Sequence, residues 1–209
     1  MSRIWLIAAI MYAIPLILTG CGGGEDFPFD PMGPTNRPLS NVPPSQRFDV
    51  YANAPAITID VTKTYTAIIH TRRGDIVVEL DALNAPLHTN NFVFISEQGF
   101  YDGLKFHRFE AGFVIQGGDP IGNGTGGPGY NLPAEIGLLH GQGVIAAARR
   151  SDSVNPQRLS SGSQYYITLA PQPGLDGSFS VFGSVTAGFD VVQKIKKDDV
   201  MVWVEIQVQ

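Results

Sequence analysis

Short stretches of alternating apolar and polar residues run through the chain from about residue 58 onward. The first two, residues 65–70 and 75–80, are rich in β-branched residues and flank the turn-like residues 72–74. This arrangement is typical of a β-hairpin. In residues 200–208 valine and isoleucine occupy every second position from 202 on, and this period of two predicts a further strand.

Two stretches have helical spacing instead. Pro86 opens the first, Phe92, Val93 and Ile95 follow at helical intervals, and the helix is predicted to stop near Gly99. A shorter helix is predicted over residues 189–195. Further strands are predicted at residues 104–109, 113–116, 143–148, 165–169 and 181–185. Many short strands with two helices indicate a mainly β fold, a closed antiparallel barrel with helical plugs.

The start of the chain has a different pattern, an apolar run over residues 4–18 that is interrupted by Pro15 and preceded by Arg3. Residues 1–20 are therefore interpreted as a secretory signal. Leu18-Thr19-Gly20-Cys21 resembles the lipobox of bacterial lipoproteins, which implies acylation of Cys21 and a lipid anchor in the membrane. The alternative is a transmembrane helix with an incidental cysteine, but the run is short for a span. We expect a bacterial envelope protein facing the periplasm. Gly22 and not aspartate follows Cys21, and resemblance to the sorting pattern of enterobacterial lipoproteins then implies the outer membrane rather than the inner one.

A proline-rich stretch separates this signal from the patterned region. Residues 21–57 are predicted to be a flexible tether that begins at the lipidated cysteine, because their few aliphatic side chains offer little apolar surface to bury. The folded domain is predicted to be residues 58–209.

Charge and composition argue against several classes of function. The formal net charge of −5 and the absence of a basic cluster argue against a nucleic-acid partner. One cysteine allows no intramolecular disulfide, and none of the four histidines shares a metal-ligand spacing with another, so no metal or cofactor is expected.

One motif identifies a family. Residues 106–119, FHRFEAGFVIQGGD, resemble the cyclophilin signature F-H-R-x-x-x-x-F-x-x-Q-G-G-D. The resemblance continues in the same order through most of the domain, in Asn90-Asn91-Phe92, Gly124-Thr125-Gly126-Gly127, Ala146-Ala147-Ala148-Arg149, Ser161-Gly162-Ser163-Gln164-Tyr165-Tyr166-Ile167, Leu175-Asp176-Gly177 and Val181-Phe182-Gly183. It implies a closed eight-stranded antiparallel barrel capped by two α-helices, and a peptidyl-prolyl cis/trans isomerase that is a monomer by family default.

The resemblance also assigns the site. Its catalytic residues correspond to Arg108, Gln116 and Phe113. The positions that contact substrate correspond to Val114, Ala148, Arg149, Gln164, Tyr166, Leu175 and Phe179. Isomerisation breaks no covalent bond, so the expected chemistry is non-covalent stabilisation of a twisted amide by the arginine donor and an apolar proline pocket. His107 is expected to be a hydrogen-bonded structural residue and His140 a loop residue.

Two other functions remain open from the sequence. One is a proline-peptide binding or chaperone lipoprotein with little turnover. The other is a structural lipoprotein that links the membrane to another envelope component.

Overall fold

The computed structural model describes residues 33–209, so the predicted signal at residues 1–20 and the lipidation at Cys21 lie outside the described residues. Within these residues the helices are α1 Pro86–Glu97 and α2 Phe189–Lys194, with short 3-10 turns at Pro44–Arg47 and Pro173–Leu175. The strands are β1 Tyr65–Thr71, β2 Gly74–Leu80, β3 Arg108–Glu110, β4 Val114–Gly117, β5 Asn131–Leu132, β6 Val144–Ala147, β7 Ser160–Ser161, β8 Tyr165–Thr168, β9 Val181–Ala187 and β10 Met201–Val208. In residues 33–209 no helix is long and apolar enough to cross a membrane.

The predicted hairpin and both predicted helices are confirmed. β1 and β2 pair antiparallel, and every second residue of β1 is buried, as a period of two requires. Pro86 occupies the first turn of α1, where its missing N–H costs nothing. Gly99, just past the end of α1, has a φ of +75°, a conformation that favours glycine and ends the helix.

Eight strands form one antiparallel sheet in the order β10-β1-β2-β9-β6-β8-β4-β3. The expected closure of this sheet into a complete barrel is wrong. The outer strands β3 and β10 share no ladder. The segment before β3 meets the start of β10 through an isolated bridge between Lys105 and Val200 and a few neighbouring backbone hydrogen bonds, such as that from Phe106 N–H to the carbonyl of Asp199. β3 has three residues whereas β10 has eight, so β3 is too short to pair along β10, and the sheet is an open half-barrel.

A large apolar core fills the concave side of the half-barrel. Ala67, Ile69 and Ile76 point into it from the hairpin, and Phe92 and Ile95 from α1, all almost completely buried. Helix α1 lies against β9 and β10, and α2 lies against β2. A second, smaller apolar cluster lies beside β4, β6 and β8, and it forms the candidate site.

Residues 37–51, here called the strap, differ from the tether predicted over residues 21–57. The strap packs on the domain through two arginines, Arg37 and the fully buried Arg47. Arg47 donates to the carbonyls of Val42 and Phe100 at 2.8 and 2.9 Å, and to that of Asp102. Polar donors that meet buried carbonyls thus order a segment that has little apolar surface of its own.

Candidate active site

The hairpin of β3 and β4 places Arg108 directly opposite Gln116. The Arg108 Nη1 donates to Gln116 Oε1 at 3.0 Å. Gln116 is buried, whereas the Arg108 side chain keeps 44% of its surface exposed. A glutamine in the sheet therefore orients a guanidinium that still faces solvent.

A second glutamine fixes the first. Gln116 Nε2 donates to Gln164 Oε1 at 3.0 Å, and Gln164 Nε2 donates to the carbonyl of Gly126 at 2.7 Å. Gly126 lies in the glycine-rich loop that follows Asp119, whose carboxylate accepts backbone N–H groups of that loop. Each amide therefore has a defined orientation, and Arg108 is held by a chain of hydrogen bonds that reaches into the loop.

Beside Arg108 lies the second apolar cluster. Val114, Ala148 and Tyr166 are buried in it, and Phe113, Leu175 and Phe179 are partly buried against it. The rings of Tyr166 and Phe179 meet edge to face with centroids 6.0 Å apart. The Arg108 guanidinium carbon lies 5.7 Å from the centre of the Phe113 ring. The structure thus places the predicted arginine at the edge of a cluster formed by the predicted apolar residues.

The hydroxyl of Tyr166 has a partner that the sequence did not predict. Tyr166 Oη lies 3.0 Å from His140 Nε2, and His140 Nδ1 lies 2.9 Å from Asp176 Oδ1. A carboxylate only accepts, so Nδ1 carries a hydrogen, and in the neutral ring Nε2 accepts the hydrogen of the tyrosine. The backbone and side-chain hydrogen bonds from His140 lower the pKa of Asp176.

This chain of contacts links Tyr166 of the second apolar cluster to the turn that carries Leu175. His140 lies in the loop between β5 and β6, as the sequence suggested, but its side chain is buried and supports Tyr166. The sequence signal that could have pointed to this contact is Tyr166 itself, whose hydroxyl stands among the apolar positions assigned to the site.

Ala148 and Arg149 lie just past the end of β6, so the structure places neither of them in a strand. The backbone of Ala148 makes two hydrogen bonds within the protein. Its N–H donates to the carbonyl of Gln164, and its carbonyl accepts from the N–H of Ser161. The Arg149 side chain lies over Phe179, 4.6 Å from the ring centre, and donates to the carbonyl of Ser178. Arg149 thus packs against Phe179, at the edge of the second apolar cluster.

Glu110 is another residue that the sequence reasoning did not single out. Its Oε1 accepts from Arg108 Nε at 2.9 Å and from Nη2 at 2.6 Å. The two residues are two positions apart on β3 and therefore share one face of the strand. This spacing of two residues along a strand was the sequence signal that could have identified Glu110.

His107 does not have the hydrogen bonds that were expected of it. Its side chain is buried, and neither ring nitrogen has a hydrogen-bond partner among residues 33–209. Burial lowers the pKa of His107, partly offset by the carboxylate of Asp119, so the ring is neutral at pH 7.

Comparisons with known proteins identify the family. The family profile described as "Cyclophilin type peptidyl-prolyl cis-trans isomerase/CLD" matches residues 66–208. A peptidyl-prolyl cis-trans isomerase of Helicobacter pylori is 41% identical over 147 residues, which cover 68% of this chain and 86% of the relative. One of Synechococcus elongatus is 41% identical over 143 residues, which cover 67% of this chain and 94% of the relative.

Solved structures of cyclophilin-type isomerases also match this chain. A cyclophilin-type peptidyl-prolyl cis-trans isomerase of Cryptosporidium parvum superposes with a TM-score of 0.63 at 28% identity, over 69% of this chain and 98% of that one. The same protein crystallised in the presence of the dipeptide Ala-Pro superposes with a TM-score of 0.62 at 29% identity, over 68% and 98% of the two chains. With its eight-stranded antiparallel sheet, two helices and matched residues 66–208, the chain belongs to the cyclophilin-type peptidyl-prolyl cis-trans isomerases.

Proposed function

We propose that this protein accelerates cis/trans rotation of X-Pro bonds by holding the proline ring in the apolar cluster and the twisted amide against Arg108. The observation that supports the proposal is the closeness of Arg108 to the apolar cluster. An oriented guanidinium with 44% of its side chain exposed lies within 5.7 Å of the ring centre of Phe113 at the edge of that cluster. The crystal structure of a related protein in the presence of Ala-Pro supports a proline-containing peptide as substrate.

The energy to be supplied is modest and needs no covalent step. Resonance holds the amide planar behind a barrier of about 18–20 kcal/mol, and uncatalysed rotation takes tens to hundreds of seconds. A thousandfold acceleration needs about 4 kcal/mol of preferential binding to the twisted form. A preorganised charged donor at the edge of an apolar pocket is able to provide stabilisation of this size.

Arg108 supplies that donor. A guanidinium has five N–H groups. Three of them are used by the hydrogen bonds to Glu110 and Gln116. The remaining two are available to the substrate, to hold the prolyl carbonyl and to stabilise the pyramidal nitrogen of the twisted amide. Gln116, held in turn by Gln164, keeps the guanidinium in place while the amide rotates.

Phe113, Val114, Tyr166, Leu175 and Phe179 surround the proline ring in this proposal. Their role is to hold the ring still, so that rotation moves the residue before proline and not the ring. Because the hydroxyl of Tyr166 is engaged by His140, the wall that it presents to the ring is apolar. The segment around Ala148 and Arg149 borders the same cluster and contacts the peptide chain.

The proposal includes a place of action. The lipobox-like residues 18–21 support an acylated Cys21 that anchors the protein to the bacterial envelope, facing the periplasm, in the outer membrane. The substrates there are secreted or envelope polypeptides that contain proline, and the protein acts on them as a monomer.

The test is isomerisation of an Ala-Pro peptide by the full chain, purified in mild detergent. Arg108→Ala is expected to lower kcat/KM by about 100-fold, equivalent to about 2.7 kcal/mol of transition-state stabilisation. Arg72→Ala, which removes an exposed arginine from the β1–β2 turn, is the matched control and is expected to act like wild type.

Circular dichroism establishes that all three proteins are folded. Equal losses in the two variants would argue against a catalytic role for Arg108. A folded wild-type chain that binds proline peptides without turning them over would instead indicate the binding or chaperone lipoprotein.

A further inference from the structure

Glu110 is placed where it affects what the site accepts. Its carboxylate contacts Arg108 on the edge formed by Nε and Nη2, and 49% of its side chain is exposed. β3 is the outermost strand of the sheet, so no further strand covers this carboxylate. Glu110 is thus a solvent-facing negative charge in direct contact with the arginine proposed to hold the substrate.

The covalent structure of a peptide determines which substrate residue comes near this charge. If Arg108 holds the prolyl carbonyl, the carbon of that carbonyl is bonded to the nitrogen of the next residue. The side chain of the residue that follows proline therefore lies within a few ångströms of the guanidinium and of the carboxylate that contacts it. This step rests on the function proposed above.

We propose that Glu110 is a specificity-determining residue that makes the site favour a basic residue, and disfavour an acidic one, directly after proline. Arg108 alone would present a positive charge and attract acidic residues. Glu110 offsets that charge and leaves a carboxylate available to a lysine or arginine of the substrate. Glu110 thereby reverses the preference that the bare arginine would have.

Other charged groups near this position do not replace Glu110. Lys196 lies over the ring of Phe109, whose side chain points to the opposite face of β3. Arg149 pairs with Asp152 and lies over Phe179 at the other side of the cluster. The local preference for a substrate charge is therefore set by the Arg108–Glu110 pair.

The experiment compares three peptides that differ only in having Lys, Gln or Glu directly after proline. Wild-type full-length protein is expected to turn over the Lys peptide with a kcat/KM about threefold above that of the Glu peptide, a ratio typical of exposed charge pairs. Glu110→Gln keeps the shape and an oxygen acceptor for Arg108 but removes the charge. This variant is expected to reverse the order, so that the Glu peptide becomes the better substrate.

Glu97→Gln is the control, because it removes the same charge from the exposed end of α1. It is expected to keep the wild-type ratio. The ratio is also expected to approach one at 1 M salt, where the screening length is about 3 Å, and this measurement needs no variant.

Each outcome bears on the inference. A Lys-to-Glu ratio near one in wild type, an unchanged ratio in Glu110→Gln, or an equal change in Glu97→Gln would each overturn it. Absence of turnover with every peptide would instead reject the proposed function, and nuclear magnetic resonance titration of the same peptides would then decide whether binding follows the charge order.

Discussion

Two arginine–carboxylate pairs in this protein have the same 2.6 Å separation and very different exposure to solvent. Arg37 Nη2 meets Asp102 across 65 residues of chain, and 12% and 5% of the two side chains are exposed. Arg108 Nη2 meets Glu110 two residues away, and 44% and 49% are exposed. Geometry at the contact is therefore no guide to what each pair does.

Their surroundings explain the difference. Arg37 also donates to the carbonyls of Ser96 and Val204, so its donors are directed at the interior of the protein. Burial raises the pKa of Asp102 to about 6, against the opposing influence of Arg37 and Arg47. A buried pair of this kind is expensive to break, whereas an exposed pair contributes little to folding. The exposed arginine can therefore serve a ligand.

The largest expected effect is on stability, at the buried pair. Arg37→Met removes the donors to Ser96, Val204 and Asp102 and leaves the carboxylate buried with one cation fewer. We expect the free energy of unfolding at pH 7 to fall by about 3 kcal/mol. Urea unfolding of the full chain, followed by circular dichroism, measures this.

Arg72→Met, at an exposed turn, provides the comparison and is expected to change stability by less than about 0.5 kcal/mol. Isomerase activity per folded molecule is expected to survive in both variants. An Arg37→Met protein as stable as wild type would mean that the strap does not belong to the cooperatively folded unit.

The second effect is on activity, at the exposed pair. Lysine at position 108 keeps the charge, but a single ammonium lacks the planar set of donors that engages Gln116, Glu110 and a substrate together. We expect Arg108→Lys to lower kcat/KM by about 30-fold, or about 2 kcal/mol, with the urea midpoint unchanged. A parallel loss of stability would show that the exposed pair is structural after all.

The third expected effect is on the pH dependence of stability. It compares a buried and an exposed residue at adjacent positions, because His107 is buried beside the exposed Arg108. Burial lowers the pKa of His107 below its ordinary value of 6.5. The stability that its neutral ring contributes is complete above pH 6.5 and is lost as the pH falls, because the unfolded chain then binds the proton more tightly. His107→Gln removes this contribution.

We therefore expect stability to decline between pH 7 and pH 5 more steeply in wild type than in His107→Gln. Urea unfolding at pH 7, 6 and 5 measures both slopes, and the other histidines cancel because both proteins contain them. Parallel slopes would contradict an uncharged, buried His107.

Much of the fold follows from local pattern. The period of two over residues 65–80 and the proline-led helical spacing from residue 86 both predicted elements that the structure contains. Closure of the barrel did not follow, because it depends on how far β3 extends against β10, two strands that are distant in the sequence. The strap did not follow either, because Arg37 meets Ser96, Asp102 and Val204, and Arg47 meets Phe100 and Asp102, all more than 50 positions away in the sequence.

In the candidate site too, some residues could be located from the sequence and some contacts could not. The signature motif located Arg108, Phe113 and Gln116, and the eight-residue separation of Arg108 and Gln116 suits a hairpin that sets them opposite each other. The support of Tyr166 by His140 and Asp176 was not predictable. These three residues come from separate segments and share no spacing rule.

By itself, the sequence determined the family, the positions of the chemical groups, and which residues share a strand face, such as Arg108 and Glu110. Backbone geometry repeats over two to four residues, so a linear pattern is enough to settle those points. Tertiary structure alone decided which arginine is buried beside Asp102, which histidine supports the pocket, and how Gln164 reaches Gly126. Such contacts depend on desolvation and on the meeting of distant segments, and both are established only when the chain has folded.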